Sequence, residues 1–190
     1  MRKAIRRFCI TIFILILLLG GAVWWLLSYI APDEELDMTY ASINVREKAM
    51  DMIQSMRPEL VLTEADINNL IKMHLAAEGQ SDIQLAQDVN LDGASFELEE
   101  NRLIARMNAT YMNQIPAQLN AVYALEWQDT SIALRPQSLS VKDIGLPLSL
   151  LEPIIIPLDL PARDMVTVSD VEFQKDQIVV RFKVSLELPF

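Results

Sequence analysis

Cysteine is nearly absent: Cys9 is the single one in 190 residues, and none occurs from Pro32 to Phe190. Disulfides and thiolate chemistry are thereby excluded from that stretch. Histidine is equally scarce, with His74 alone. One histidine rules out a histidine metal cluster and leaves little from which to build a Ser–His–Asp or Cys–His set. Five glycines in the whole chain provide no glycine-rich phosphate loop. Basic residues are also few outside the N-terminus. Arg2, Lys3, Arg6 and Arg7 take four of the sixteen, leaving twelve against twenty-six acidic residues. A surface with that excess of negative charge excludes a nucleic-acid partner, because phosphate binding needs a basic face.

No acidic residue precedes Asp33, and no charge of either sign lies between Arg7 and Asp33. Within that gap runs FCITIFILILLLGGAVWWLLSYI, Phe8 to Ile30. As a helix it is about 35 Å long, enough for a hydrocarbon core of roughly 30 Å. Basic residues before it and acids after it predict a cytoplasmic N-terminus and an extracytoplasmic C-terminal domain. Trp24, Trp25 and Tyr29 fall at the outer end, where amphipathic rings favour the headgroup zone. A cleaved signal peptide is the rival. Ala22 is a small residue suited to cleavage, but Val23 to Leu27 continue the apolar run, and Tyr29 is too bulky for a cut after Ala31. The expected organisation is a basic cytoplasmic tail (1–7), a transmembrane helix (8–30), an acidic stalk held in water (31–43) and an extracytoplasmic domain (44–190). The expected location is the cell membrane, as a single-pass signal-anchor protein.

In the outer domain, Val45, Ala49, Met52, Ile53 and Met56 share one face of a helix, with Asn44 as N-cap and Pro58 as its stop. A second helix starts at Thr63, which forms a capping box with Asp66. It buries Ile67, Leu70, Ile71 and Leu75, and Gly79 suits its C′ position. From Asp88 the hydrophobic period becomes two. Leu103 to Tyr111, Ala117 to Trp127 and Ile178 to Leu188 alternate apolar and polar residues, the pattern of antiparallel strands dry on one face. Two strands change phase partway. Ile132 and Leu134 give way after Pro136 to Leu139 and Val141, and Val166 and Val168 give way to Val171 and Phe173. A β-bulge is expected at each. The fold class is α+β: a curved antiparallel sheet packed on one or two helices, behind an N-terminal transmembrane helix.

Few residues carry candidate chemistry. DVNLDGASFELE, Asp88 to Glu99, matches the calcium-loop formula, with Asp88, Asn90, Asp92 and Glu99 as oxygen donors and Gly93 at the turn. Its flanks read as strands, so a hairpin turning at Asp92-Gly93 is expected instead, and no metal site or cofactor is assigned. Asn108-Ala109-Thr110 fits a glycosylation sequon. His74 falls in the apolar stripe of its helix, as a core or edge imidazole, or as a polar group at the mouth of an apolar cavity. No carboxylate pair for hydrolysis can be identified, and no enzyme activity is expected.

The segment that stands out is GLPLSLLEPIIIPLDLP, Gly145 to Pro161, with nine Leu or Ile and four Pro. Its prolines forbid one long helix. Pro147 can begin a short helix, and Ile154 to Ile156 read as an extended crossing. The segment is either a lid closing the core or the wall of an apolar groove. In the second case Leu146, Leu148, Leu150, Leu151, Ile154, Ile155 and Ile156 line a site for a lipid or another apolar ligand, with His74 as the polar orienter.

LTEADINNLI (Leu62 to Ile71), a strand running into a capped helix, and SLSVKDIGLPLSLL (Ser138 to Leu151), a strand turning into Leu-Pro-Leu and a short helix, follow an apolar anchor. In this order they resemble the YpmS family of small membrane-anchored proteins of Gram-positive bacteria. The resemblance implies an extracytoplasmic domain similar in outline to tubular lipid-binding domains, and it transfers no catalytic residue. Two functions are therefore expected. The first is binding of a lipid or other apolar molecule of the cell envelope. The second is a structural or docking role that recruits an envelope protein.

Overall fold

An N-terminal helix, α1 (Arg2–Ile30), carries the apolar run. Over Ile5–Ile30 it is long and apolar enough to cross a membrane, and none of that length is buried. The computed structural model describes residues 2–54, 59–77, 88–160 and 166–184. Met56, Pro58, Gly79, Pro161, Leu186 and Leu188 lie outside the described residues.

The two predicted helices are α2 (Val45–Gln54) and α3 (Glu64–Ala77). Both start where side-chain caps are available. Asn44 Oδ1 accepts from the Glu47 N–H at 3.0 Å, satisfying one orphan donor of the first turn. At α3 the box is reciprocal: the Asp66 N–H donates to Thr63 Oγ1 at 3.2 Å, and the Thr63 N–H donates to Asp66 Oδ2 at 3.0 Å. Lys48 Nζ reaches the same Asp66 carboxylate at 2.6 Å. Burial by itself raises the Asp66 pKa, but the Lys48 ammonium and the two Thr63 donors outweigh it, so the carboxyl titrates below the ordinary 3.8. A folded pKa below the unfolded one contributes stability above the unfolded value and loses it as pH falls through the folded one. Asp66→Asn is thus expected to flatten the acid limb of stability below about pH 4. Thr63→Ala is expected to cost about 1 kcal/mol at neutral pH. Chemical denaturation at both pH values reads the two effects.

Among the described residues nine strands form two antiparallel sheets. The smaller orders β1 (Glu59–Thr63), β9 (Gln177–Val184) and β8 (Val166–Phe173). The larger runs β2 (Val89–Glu99), β3 (Arg102–Tyr111), β4 (Ile115–Gln128) and β5 (Ser131–Val141). On the far side of β5 lie both β6 (Ile144–Gly145) and β7 (Ile154–Pro157). Strands β2 and β7 stand at opposite edges of this sheet, yet α3 touches both. The sheet therefore curls around α3, as the α+β reading expects. Ile67, Leu70 and Ile71 of α3 meet Leu103, Ala105, Tyr123 and Leu134 of the sheet in one core, closed by Leu62, Ile178 and Val180 of the smaller sheet.

Both expected bulges are present. Val122 pairs with Ser138 and Tyr123 with Pro136, leaving Gln137 as the extra residue in β5. Val168 pairs with Phe182 and Asp170 with Arg181, leaving Ser169 extra in β8. That second bulge helps gather three carboxylates on one guanidinium: Arg181 meets Glu59 at 3.1 Å, Asp170 at 2.8 Å and Glu172 at 2.7 Å. These bonds, led by Glu172, raise the Arg181 pKa further and keep it charged.

The expected hairpin at Asp92-Gly93 is not formed. Strand β2 runs straight through, because Leu91 pairs with Ala109 and Gly93 with Asn108, which makes Asp92 the extra residue of a third bulge. Asp-Gly suits a bulge as well as a turn, and the turn instead falls at Glu100, whose φ is 52°. A glycine is needed at 93 for another reason: a Cβ there would lie 2.0 Å from the Leu36 carbonyl oxygen.

That contact belongs to the acidic segment, which is not a free stalk in water. Residues 33–41 form a strap over the sheet. Asn108 Nδ2 donates to the Glu34 carbonyl at 2.7 Å, and the Ala94 N–H donates to the Asp37 carbonyl at 3.2 Å. Asp33 pairs with Lys142, and Asn69 of α3 accepts from the Ala41 N–H at 3.1 Å. Hydrogen bonds from Thr39, and then the Lys72 ammonium at 3.7 Å, hold the Asp37 pKa below its ordinary value. The strap shares the closing of the β2 edge with α3. The Phe96 N–H donates to Asn68 Oδ1 at 3.1 Å and the Leu98 N–H to Glu64 Oε2 at 2.9 Å. Glu64 and Asn68 are four residues apart on one helix face, matching the two-residue spacing of outward donors on a strand. An edge so occupied cannot template pairing with another chain.

Candidate functional site: the interrupted strand beside β5

Gly145 to Leu160 returns alongside β5 as one edge strand broken in the middle. Ile144 and Gly145 pair with Val141 and Ser140, and the Leu146 N–H donates to the Leu139 carbonyl at 2.8 Å. Pro147 then turns the chain away: in extended conformation (φ −60°, ψ 134°) it caps a single 3-10 turn, Leu148–Leu150. Its lack of an N–H ends the ladder without an unpaired donor. The chain rejoins β5 where Ile154 pairs with Leu134 and Ile156 with Ile132. The Leu158 N–H extends the attachment to the Thr130 carbonyl at 2.9 Å.

Between the two attachments, residues 135–138 of β5 have no ladder partner on this side among the described residues. The Gln137 bulge lies in this gap. Across the sheet from it, Tyr123 is buried opposite Pro136. Burial pushes its phenol up to about 12, so the hydroxyl stays a neutral group at any physiological pH.

The seven apolar candidates do not act as one wall. Leu151 and Ile156 are buried in the core, together with Leu158. Leu146, Leu150 and Ile154 are half-buried against that core and flank the gap. Leu148 and Ile155, 43% and 51% exposed, face outward. His74 is half-buried on α3, the helix that touches β7. Tyr123 was not marked by the sequence, because within β4 it reads as one more inward apolar position.

The calcium-like pattern is spread along β2 rather than wound into a loop. Eleven residues of strand, Val89 to Glu99, span about 36 Å, so the four oxygen donors cannot meet on one ion. Asp92 instead accepts from Thr110 Oγ1 at 2.6 Å, and Glu99 pairs with Arg102 at 3.3 Å. Among the described residues no cluster of three His, Cys, Asp or Glu could hold a metal. The sequon asparagine, Asn108, is buried beneath the strap with its Nδ2 engaged.

Buried Lys72 and Asn108 are further polar positions that periodicity could not flag. Both lie where the strap crosses: Asn108 meets the Glu34 carbonyl and Lys72 the Asp37 carboxylate. Compared with protein-family models, curated proteins and solved structures, the chain matches none.

Proposed function

We propose that this chain is a single-pass membrane-anchored protein, N-terminus in the cytoplasm, whose extracytoplasmic domain binds a lipid or another apolar molecule of the cell envelope without chemical conversion. Membership of the YpmS family is part of the same reading. The observation that carries it is the gap beside β5. Leu146, Leu150 and Ile154 are only half-buried there although the core next to them is closed. Half-buried aliphatic side chains around a break in a ladder suit an acyl chain better than a polar solute. The apolar helix α1 supports the location, and Arg2, Lys3, Arg6 and Arg7 before its apolar run support a cytoplasmic N-terminus.

The test uses the full chain in lipid nanodiscs containing a lipid with a photoreactive acyl chain. Cross-links are expected within 146–154. Leu150→Trp combined with Ile154→Trp is expected to lower them about tenfold, the effect of some 1.4 kcal/mol of lost affinity, and Leu148→Trp to leave them unchanged. Absence of cross-links there, or equal loss in both variants, removes the reading.

A docking role is favoured by one observation only, the outward Ile155 on the edge strand β7. Cross-linking of a protein partner that Ile155→Asp abolishes, with lipid cross-links intact, would select it.

A further inference from the structure

Three of the exposed large apolar side chains that follow α1 lie at one end of the larger sheet. Tyr111, Met112 and Ile144 are 42%, 54% and 48% exposed. Tyr111 pairs with Ile115 across the β3–β4 turn and Val141 pairs with Ile144 across the β5–β6 turn, so both turns point the same way. Met112 is also held at φ 49°, a region in which Asn, Asp or Gly is the common choice. No structural need of the turn explains a long apolar side chain there.

Helix α1 joins the domain at this same end. The Tyr29 hydroxyl donates to Asp143 Oδ2 at 2.9 Å, Lys142 pairs with Asp33, and α1 touches β4. Tyr29 lies in the last turn of the helix, and Trp25 stacks on it with ring centroids 5.7 Å apart. Such rings settle in the headgroup layer. The layer on each side of the hydrocarbon core is roughly 5–8 Å deep. Asp143, bonded to Tyr29, shares that depth, and the Ile144 Cα is only about 3.8 Å further along the chain. An exposed isoleucine so close to the acyl boundary gains by entering it.

We infer that the β3–β4 and β5–β6 turns form a second contact with the bilayer that α1 crosses, with Ile144 and Met112 at the boundary between headgroups and acyl chains. The inference rests on the membrane-anchor part of the proposed function and is independent of any ligand in the gap. It gives the domain two attachments, a spanning helix and an apolar rim, and so one orientation. Strand β5 then rises from the membrane, and Ile155, opposite Ala133, stands about eight residues or 26 Å from the Val141 end.

The experiment uses the full chain with Cys9→Ala, reconstituted in nanodiscs and carrying one environment-sensitive fluorophore at a time. Labels go on Ile144→Cys, Met112→Cys, Ile155→Cys and, within the span, Ile14→Cys. Lipids with a nitroxide near the headgroup are expected to quench roughly half of the emission at 144 and 112, as for side chains 5–10 Å into the interface, and to leave 155 unchanged. Emission at 144 and 112 matching that at 155, with 14 quenched by a nitroxide deeper in the acyl chain, overturns the rim contact and leaves the anchor standing. A label at 14 that escapes the deep nitroxide overturns the anchor and the rim together.

Discussion

Ile156→Asp is expected to unfold the domain that follows α1, whereas Ile155→Asp, one residue away, is expected to leave it folded. Ile156 is 3% exposed and opposes Ile132 in the core, while Ile155 is 51% exposed. Removing a buried isoleucine forfeits about 1.5–3 kcal/mol of transfer energy. The new carboxyl adds the cost of a buried polar group without a partner, about 1–3 kcal/mol even when neutral. A total of about 4 kcal/mol or more is comparable to the whole stability of many domains. The exposed neighbour should change stability by less than about 0.5 kcal/mol. Denaturant titration of the full chain in detergent, followed by tryptophan fluorescence and far-UV dichroism, reads both. Similar behaviour of the two variants would show that the segment is not seated as an edge strand.

The second large effect is expected at Gly93. A methyl group there would lie 2.0 Å from the Leu36 carbonyl oxygen and 2.2 Å from its carbon, both backbone atoms with no rotamer to change. Gly93→Ala must therefore push the strap off β2. The variant loses the Asp37 bond to the Ala94 N–H and the Glu34 bond to Asn108, whose other amide atom, Oδ1, is already buried without a partner among the described residues. A cost of about 3 kcal/mol is expected from overpacking and the two exposed donors. Hydrogen exchange should show lost protection at Ala94 while Phe96 and Leu98, held by α3, keep theirs. Unchanged exchange at Ala94 would contradict the strap.

What could be read from the residues follows how local the governing physics is. Caps at Asn44 and Thr63 involve side chains three residues from their partners, and the sequence names them. The bulges at Gln137 and Ser169 leave a phase change in a period-two pattern, which is equally visible. The bulge at Asp92 is not separable from a turn in the sequence because Asp-Gly serves both, and the deciding fact is Leu36, 57 positions earlier in the chain. The strap left no compositional trace that separates it from a solvated tail: Asp33 and Asp37 pair with Lys142 and Lys72 far along the chain, and its other docking atoms are main-chain groups that every residue has. Division of the strands into two sheets is likewise non-local, since β1 finds its partner β9 at the far end of the chain. Within Gly145 to Leu160, prolines erase the periodicity that would separate Leu151 and Ile156, which pack inward, from Leu148 and Ile155, which do not.

The strap also sets an order of events during synthesis. The docking partners of the strap and of α1 are made long after them: Asn108 follows Glu34 by 74 residues, and Asp143 follows Tyr29 by 114. At 5–20 residues per second, Asp143 leaves the ribosome about 6 to 23 s after Tyr29. The apolar helix has by then been free to enter a bilayer, but the residues that seat the domain on it do not yet exist. In the proposed membrane-anchored state insertion therefore precedes folding, and the sheet assembles on a strap already fixed at one end. Long-range closure of this kind is intrinsically slow, and in that state tethering shortens the search by holding one end of the loop at a surface.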